Sequence, residues 1–103
     1  MRLAFTPLAE QDLEAIADYI AADNPVRALS FVRELRTQCQ RITLDPHGYR
    51  LRPELGDRIR SCAHGHHVIF FESNSDVVVI VRILRGARDI PAVFGADPES
   101  PLR

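Results

Sequence analysis

Residues 77–84, with the sequence VVVIVRIL, are apolar at every position except Arg82. A run that is apolar on both faces of a β-strand is typical of a strand in the middle of a sheet. Residues 66–73, HHVIFFES, precede this run and are separated from it by the short polar stretch NSD, which predicts a tight turn between antiparallel strands. The sequence therefore predicts a hairpin whose second strand is the central strand of the fold.

Two amphipathic helices are predicted ahead of this hairpin. Thr6 and Asn24 are suitable N-caps, and each is followed by a proline at the first helical position, where the missing N–H costs nothing. Apolar residues then recur at helical spacing: Leu13, Ile16, Ala17 and Ile20 in the first helix, and Ala28, Val32, Leu35, Cys39 and Ile42 in the second. The pattern predicts helices over about 7–22 and 25–44 that fold back on each other as a hairpin.

The remaining segments complete an α+β fold in the order β-α-α-β-β-β. Residues 2–6 are predicted to form a short first strand, 45–57 an ordered loop, and 58–64 an alternating strand. The expected architecture is a helical hairpin packed on one face of a small, mainly antiparallel sheet, which leaves the opposite face uncovered. We expect a single domain over residues 1–94 and a flexible tail over 95–103.

Length and composition narrow the function classes. A chain of 103 residues is too short to hold a cofactor domain and a substrate domain, and it has no apolar run that could span a bilayer. No secretory leader is evident, so a cytoplasmic location is expected. Cys39 and Cys62 are too few for a disulfide framework and are expected in the core.

Charge is unevenly distributed along the chain. All thirteen basic residues are arginine. Residues 1–34 carry six acids against three arginines, a net charge of −3, whereas residues 50–88 carry seven arginines against four acids, a net charge of +3. This segregation indicates two surfaces with different partners.

Five arginines near the sheet are candidates for binding a target. They are Arg58, Arg60, Arg82, Arg85 and Arg88. If residues 78, 80, 82 and 84 share the uncovered face, Arg82 extends a cationic patch that guanidinium groups would use to bind phosphate or carboxylate. The alternative is that these arginines pair with acids of the same chain, such as Glu54, Asp57 and Asp89.

Catalytic and metal sites are not predicted. Cys62, His64 and His66 share one face at strand spacing, but no fourth ligand stands elsewhere in the pattern that zinc requires. No nucleophile motif and no phosphate-binding glycine loop is present, so no catalytic residue and no cofactor is assigned. The acidic first helix also disfavours a helix-turn-helix and sequence-specific binding of nucleic acid.

The assembled pattern resembles the ParE branch of the ParE/RelE toxin superfamily. The resemblance rests on HHVIFFESNSDVVVIVRILRGARDI, with its VIFF strand and RILRGARD end, and on FTPLAEQDLEAIADYIAADNPVRALSFVREL, which is similar to the helical hairpin of the family. It covers about residues 2–91. One departure is Arg85, which stands where many relatives have histidine.

The resemblance implies the toxin of a type II toxin–antitoxin pair. Toxins of the ParE branch inhibit DNA gyrase, and a small antitoxin protein wraps each toxin along its hairpin and sheet. Antitoxin contacts are accordingly expected at apolar residues of the hairpin: Leu13, Ile16, Ile20, Leu29 and Val32. Two alternatives stay open, namely a RelE-like endonuclease that cuts mRNA on the ribosome, and a non-toxic remnant that only binds the antitoxin.

Overall fold

The computed structural model describes residues 1–86, which fold into two helices and a five-stranded sheet. The elements in chain order are β1 Arg2–Phe5, α1 Pro7–Ala21, α2 Pro25–Ile42, β2 Arg50–Leu51, β3 Arg60–His64, β4 His67–Ser73 and β5 Val77–Arg85, with a 3₁₀ turn at Pro46–Gly48 before β2. Arg88 and the predicted tail over 95–103 lie outside the described residues.

Both helices begin at the predicted caps. The Thr6 hydroxyl accepts a hydrogen bond from the Ala9 N–H, and the Asn24 side chain accepts one from the Arg27 N–H. A proline follows each cap, because its fixed φ suits the first helical position. Neither helix within residues 1–86 combines the length and the apolar character of a membrane span.

The sheet has the strand order β1-β5-β4-β3-β2. β1 pairs with β5 in parallel, and the other neighbours are antiparallel. The prediction that the last strand is internal is confirmed, since β5 lies between β1 and β4. The two-residue strand β2 was not predicted; it lies inside the segment expected to be a loop.

The main core lies between the hairpin and the sheet. Its fully buried side chains come from α2 and from the middle of the sheet: Leu35, Cys39, Ile42, Ile69, Phe71, Val78 and Ile80. Phe71 packs edge-on against Tyr49, with ring centroids 5.7 Å apart. This two-layer packing confirms the α+β class with the helices on one face.

The prediction that residues 78, 80, 82 and 84 share the uncovered face is wrong. Val78 and Ile80 are fully buried beneath the helices. The pairing of β4 with β5 has an irregularity between Phe70 and Phe71, opposite Val81, and beyond it Ile83 takes the buried side. An extra residue on one strand reverses the alternation for the residues that follow.

The face opposite the helices is partly covered. Ile59 and Phe70 are buried there, and Leu55, Val68 and Leu84 pack around them as a second, smaller cluster. The segment between β2 and β3 supplies part of this cover, and the Arg52 guanidinium lies 5.9 Å from the centre of the Phe70 ring. The expectation of an uncovered face therefore needs correction.

Both cysteines are buried free thiols, as predicted. Burial, together with the nearby Cys62, raises the pKa of Cys39 from 9.0 to about 12. The unfolded thiol ionises near its ordinary pKa, so the stabilisation that comes from keeping Cys39 neutral is complete below about pH 9 and is lost as the pH rises toward 12.

Cys39 is expected to resist alkylation in the folded protein. Iodoacetamide reacts with the thiolate, which is scarce at neutral pH when the pKa of the thiol is about 12. Mass spectrometry after a brief exposure at about pH 8 should find Cys39 unmodified in native protein and modified in guanidinium. Equal labelling in both conditions would show that the thiol is accessible.

Candidate functional site

An open groove lies where the closed end of the helical hairpin meets the β3–β4 turn. Its volume is about 550 Å³. Its apolar wall is formed by Ile16, Tyr19 and Ile20 of α1 together with Phe31 of α2. The Tyr19 ring is 72% exposed although it belongs to this wall. An open apolar surface of this kind is typical of a site where another molecule binds.

The rim of the groove is cationic. Arg27, His66, His67 and Arg85 line it, and no aspartate or glutamate does so among the described residues. The Arg85 guanidinium lies 5.7 Å from the centre of the Tyr19 ring, and that of Arg27 lies 5.0 Å from the Phe31 ring. Aromatic faces attract these cations without neutralising their charge, but Arg27 is also paired with Glu34 at 2.7 Å, so Arg85 carries the uncompensated charge within residues 1–86. The groove therefore favours an apolar ligand that carries negative charge.

Strand register places three of the basic side chains in a line. His64 on β3 is paired with His67 on β4, and His67 is paired with Arg85 on β5. Gly65, at φ 60°, allows the two-residue turn between β3 and β4, and so fixes this register. We call His64, His67 and Arg85 the cationic row. Directly opposite side chains in such pairs are about 5 Å apart.

Aromatic packing holds both histidines of the row beneath α2. The Phe31 ring lies 5.7 Å from the His64 ring and 5.2 Å from the His67 ring. Burial, followed by the charge of Arg85, lowers the pKa of His67, and His66 and His64 add to the effect. His67 Nδ1 is buried and has no hydrogen-bond partner in the described part of the chain. His67 is therefore kept neutral in the free protein near neutral pH.

Arg82 does not belong to an exposed cationic patch. Its Nε donates to Asp12 Oδ2 at 2.8 Å and its Nη2 donates to Oδ1 at 2.9 Å. The same Oδ2 accepts a hydrogen bond from the Ile83 N–H at 2.9 Å. The alternative of an internal ion pair is thus the correct one for Arg82, although the partner is an acid of α1. This paired guanidinium attaches α1 to β5 and is not available to a target.

Of the other candidate arginines, the three that the structure describes do not form one surface. Arg85 is exposed at the groove, whereas Arg58 lines a shallow hollow beside Glu72. Arg60 Nη1 donates to the Tyr49 carbonyl at 2.8 Å. With Arg88 outside the described residues, only Arg85 of the predicted set can be placed in the groove.

The predicted antitoxin contacts also fall into separate places. Ile16 and Ile20 line the groove. Leu13 is 3% exposed and belongs to the core, so it cannot contact a partner, and Val32 is half-buried against the same core. Leu29 is 65% exposed but does not line the groove. A ligand of the groove would therefore meet Ile16 and Ile20, whereas Leu13 is buried in the core.

Sequence reasoning missed most of the residues that line the groove, and Tyr19 and His67 are two of them. Tyr19 follows Ile16 at helical spacing and could have been recognised as part of the same stripe. His67 gave no comparable signal, because its neighbourhood depends on the register between three strands. Within residues 1–86, no three histidine, cysteine, aspartate or glutamate side chains are grouped as a metal site would require.

Known proteins resemble this chain in sequence and in fold. A family model described as the ParE toxin of the type II toxin–antitoxin system parDE matches residues 3–90. Among solved structures, one chain described as "Chromosomal ParDE TA system from P. aeruginosa" is similar, with a TM-score of 0.72 and 26% identity. The match covers 84% of this chain and 97% of that one. A comparison with curated proteins gave no match.

Proposed function

Because this chain belongs to the ParE toxin family of type II toxin–antitoxin systems, we propose that it acts by binding DNA gyrase. The resemblance of its hairpin and last two strands to the ParE branch implies this target. We further propose that Arg85 and Arg88, at and beyond the end of β5, contact gyrase. Arg85 supports this because its guanidinium is exposed and has no carboxylate partner among the described residues.

The pairing and burial of the basic residues weigh against nuclease chemistry. Cutting RNA requires a base, an acid and stabilisation of phosphate charge. Arg82 is already neutralised by Asp12. His67 stands beside Arg85, but its ring packs against Phe31 and its Nδ1 is buried. An apolar groove in which Arg27 is paired with Glu34, and Arg85 has no carboxylate partner within residues 1–86, fits a protein partner better than an RNA backbone.

Purified toxin is expected to inhibit supercoiling by DNA gyrase and to leave mRNA intact in a translating extract. The reason is that the proposed action needs binding alone. Supercoiling of a relaxed plasmid and accumulation of cleaved plasmid should be followed by gel electrophoresis. Arg85→Glu should reduce inhibition about tenfold or more, since charge reversal at a contact typically costs more than about 1.4 kcal/mol.

A matched control for that experiment is Arg2→Glu. Arg2 is exposed on the edge strand β1, away from the groove, and carries the same charge. This variant should inhibit gyrase like the unmodified chain. Cleaved transcripts together with normal supercoiling would contradict the proposal and would instead indicate a ribosome-dependent endonuclease.

The antitoxin partner that a toxin of this kind implies is proposed to dock in the groove. Ile16 and Ile20 offer an apolar wall, and the exposed Tyr19 ring offers the kind of aromatic anchor that often dominates protein interfaces. An amphipathic segment placed there would cover Arg85. Neutralisation then follows, because antitoxin and gyrase compete for the same guanidinium.

A further inference from the structure

We propose that the cationic row of His64, His67 and Arg85 is a carboxylate-binding subsite that receives an aspartate or glutamate side chain of the antitoxin. This inference rests on the proposed docking of the antitoxin in the groove. It adds the chemistry of the contact and its dependence on pH. It also gives a role to the CAHGHH segment, which is explained neither as a metal site nor by its turn alone.

The subsite follows from which members of the row already have counter-ions. His64 Nε2 lies 3.4 Å from Glu34 Oε1, and Arg27 Nη1 lies 2.7 Å from Glu34 Oε2. Glu34 is therefore the counter-ion at the His64 end of the row. His67 and Arg85 have no carboxylate partner within residues 1–86. The unfilled counter-ion position is at the groove end of the row.

Geometry makes this position suitable for a carboxylate. His67 and Arg85 are directly opposite each other on neighbouring strands, about 5 Å apart at Cβ. Both belong to the lining of the groove, together with Ile16, Ile20 and Phe31. A carboxylate between the two basic groups would be held by charge-assisted hydrogen bonds in a partly apolar setting, where such bonds are strong.

An acidic side chain is preferred over other anions because of the apolar wall. A side chain of an amphipathic segment can place its carboxylate at Arg85 while neighbouring apolar residues contact Ile16 and Ile20. A nucleic acid would bring a second and a third phosphate. Apart from His66 and Arg27, which is paired with Glu34, the described lining offers these phosphates only the apolar surface of α1 and Phe31.

Binding at this subsite should strengthen as the pH falls. The groups whose charges act on His67 are Arg85 of β5, His66 of the turn and His64 of β3. The other titratable groups that line the same groove are Tyr19 of α1 and Arg27 of α2, and Arg27 is paired with Glu34. In the free protein, burial and Arg85 lower the pKa of His67, so its ring is neutral near pH 7. A bound carboxylate would favour the protonated ring and raise that pKa. Binding therefore takes up a proton.

The test uses sodium octanoate as a minimal apolar carboxylate, with octanol as its neutral match. NMR titration of the chain should show octanoate binding in the groove about threefold more tightly at about pH 6 than at about pH 8, because a rise of roughly one unit in the lowered pKa of His67 is only partly expressed at pH 6. Octanol should bind with the same affinity at both pH values. The His67 ring signals should report a raised pKa when octanoate is bound.

Two variants and one control distinguish carboxylate binding at the cationic row from binding through apolar contacts alone. His67→Gln should abolish the pH dependence, and Arg85→Gln should weaken octanoate at both pH values, each without changing octanol binding. His47→Gln is the matched control, because His47 lies on the 3₁₀ turn and does not line the groove. If His67→Gln fails to fold, the titration of the wild-type His67 signals still decides the question.

Antitoxin affinity, measured with the same variants, shows whether the antitoxin supplies the carboxylate. His67→Gln should remove the gain in antitoxin affinity on acidification that the unmodified chain shows. Equal affinity for octanoate and octanol, or an unchanged pH dependence in His67→Gln, would overturn the subsite. So would preferential binding of a single-stranded DNA oligonucleotide, or dimerisation of the free chain through the groove. These results would leave the gyrase assay unaffected, so a failure of either proposal can be recognised separately.

Discussion

Replacing Asp12 with alanine is expected to lower the free energy of unfolding by about 2–4 kcal/mol. The side chains of Asp12 and Arg82 are 13% and 20% exposed, so the change would leave a largely buried guanidinium without a counter-ion. The Ile83 N–H would lose its acceptor as well. Urea denaturation followed by circular dichroism measures the difference, provided that the m-value is unchanged.

Two further variants serve as controls for Asp12→Ala: one in the same helix, and one that also replaces Arg82, the ion-pair partner of Asp12. Glu14→Ala removes an exposed acid two residues further along α1 and should change the free energy of unfolding by less than about 0.5 kcal/mol. The double variant Asp12→Ala with Arg82→Met should recover part of the loss, because an apolar pair no longer leaves a buried charge unpaired. Full stability in Asp12→Ala alone would show that the ion pair is dispensable.

Phe71→Ala is expected to be the most damaging single substitution in the sheet, with a loss of about 3–5 kcal/mol. Phe71 of β4 is fully buried on the face of the sheet that the helices cover, and it packs edge-on against Tyr49. Removing its ring takes away buried apolar surface and leaves a cavity in a small core. A loss of this size approaches the whole stability of a domain of this length.

Thermal unfolding by circular dichroism can rank Phe71→Ala against a matched surface change. Leu29→Ala removes an apolar side chain that is 65% exposed and should leave the unfolding midpoint nearly unchanged. A small effect at Phe71, similar to that at Leu29, would mean that the two-layer core is not the source of stability. Because Leu29 was a predicted antitoxin contact, the same variant can be assayed for antitoxin affinity.

Local features of the sequence were enough to predict the helices. Thr6 and Asn24 each cap a helix whose first residue is proline, and the hydrogen bonds to the Ala9 and Arg27 N–H groups follow from that arrangement. The antiparallel pairing of the last two strands was equally local, because only a short turn separates them. Interactions between residues that are close together in the chain can be recognised from the local sequence pattern.

Features that depend on distant pairing could not be predicted. Asp12 and Arg82 are 70 positions apart, and nothing near either residue indicates the other. The irregularity opposite Val81 reverses the alternation in β5, so a count by twos could not show that Val78 and Ile80 lie beneath the helices while Leu84 lies on the opposite face. The cationic row likewise depends on the register of three strands. The sequence therefore indicated which types of residue would form the candidate site, but not which of those residues lie next to each other in the fold.

The pairing of β1 with β5 has a consequence for how the chain is made. Arg2–Phe5 pairs with Val77–Ile80, so this edge of the sheet cannot form until β5 has been synthesised. Contacts between such distant parts of a chain slow folding, because a long loop must close first. The helical hairpin is thus synthesised well before this edge of the sheet can close, and an antitoxin already present in the cell can meet it in that interval.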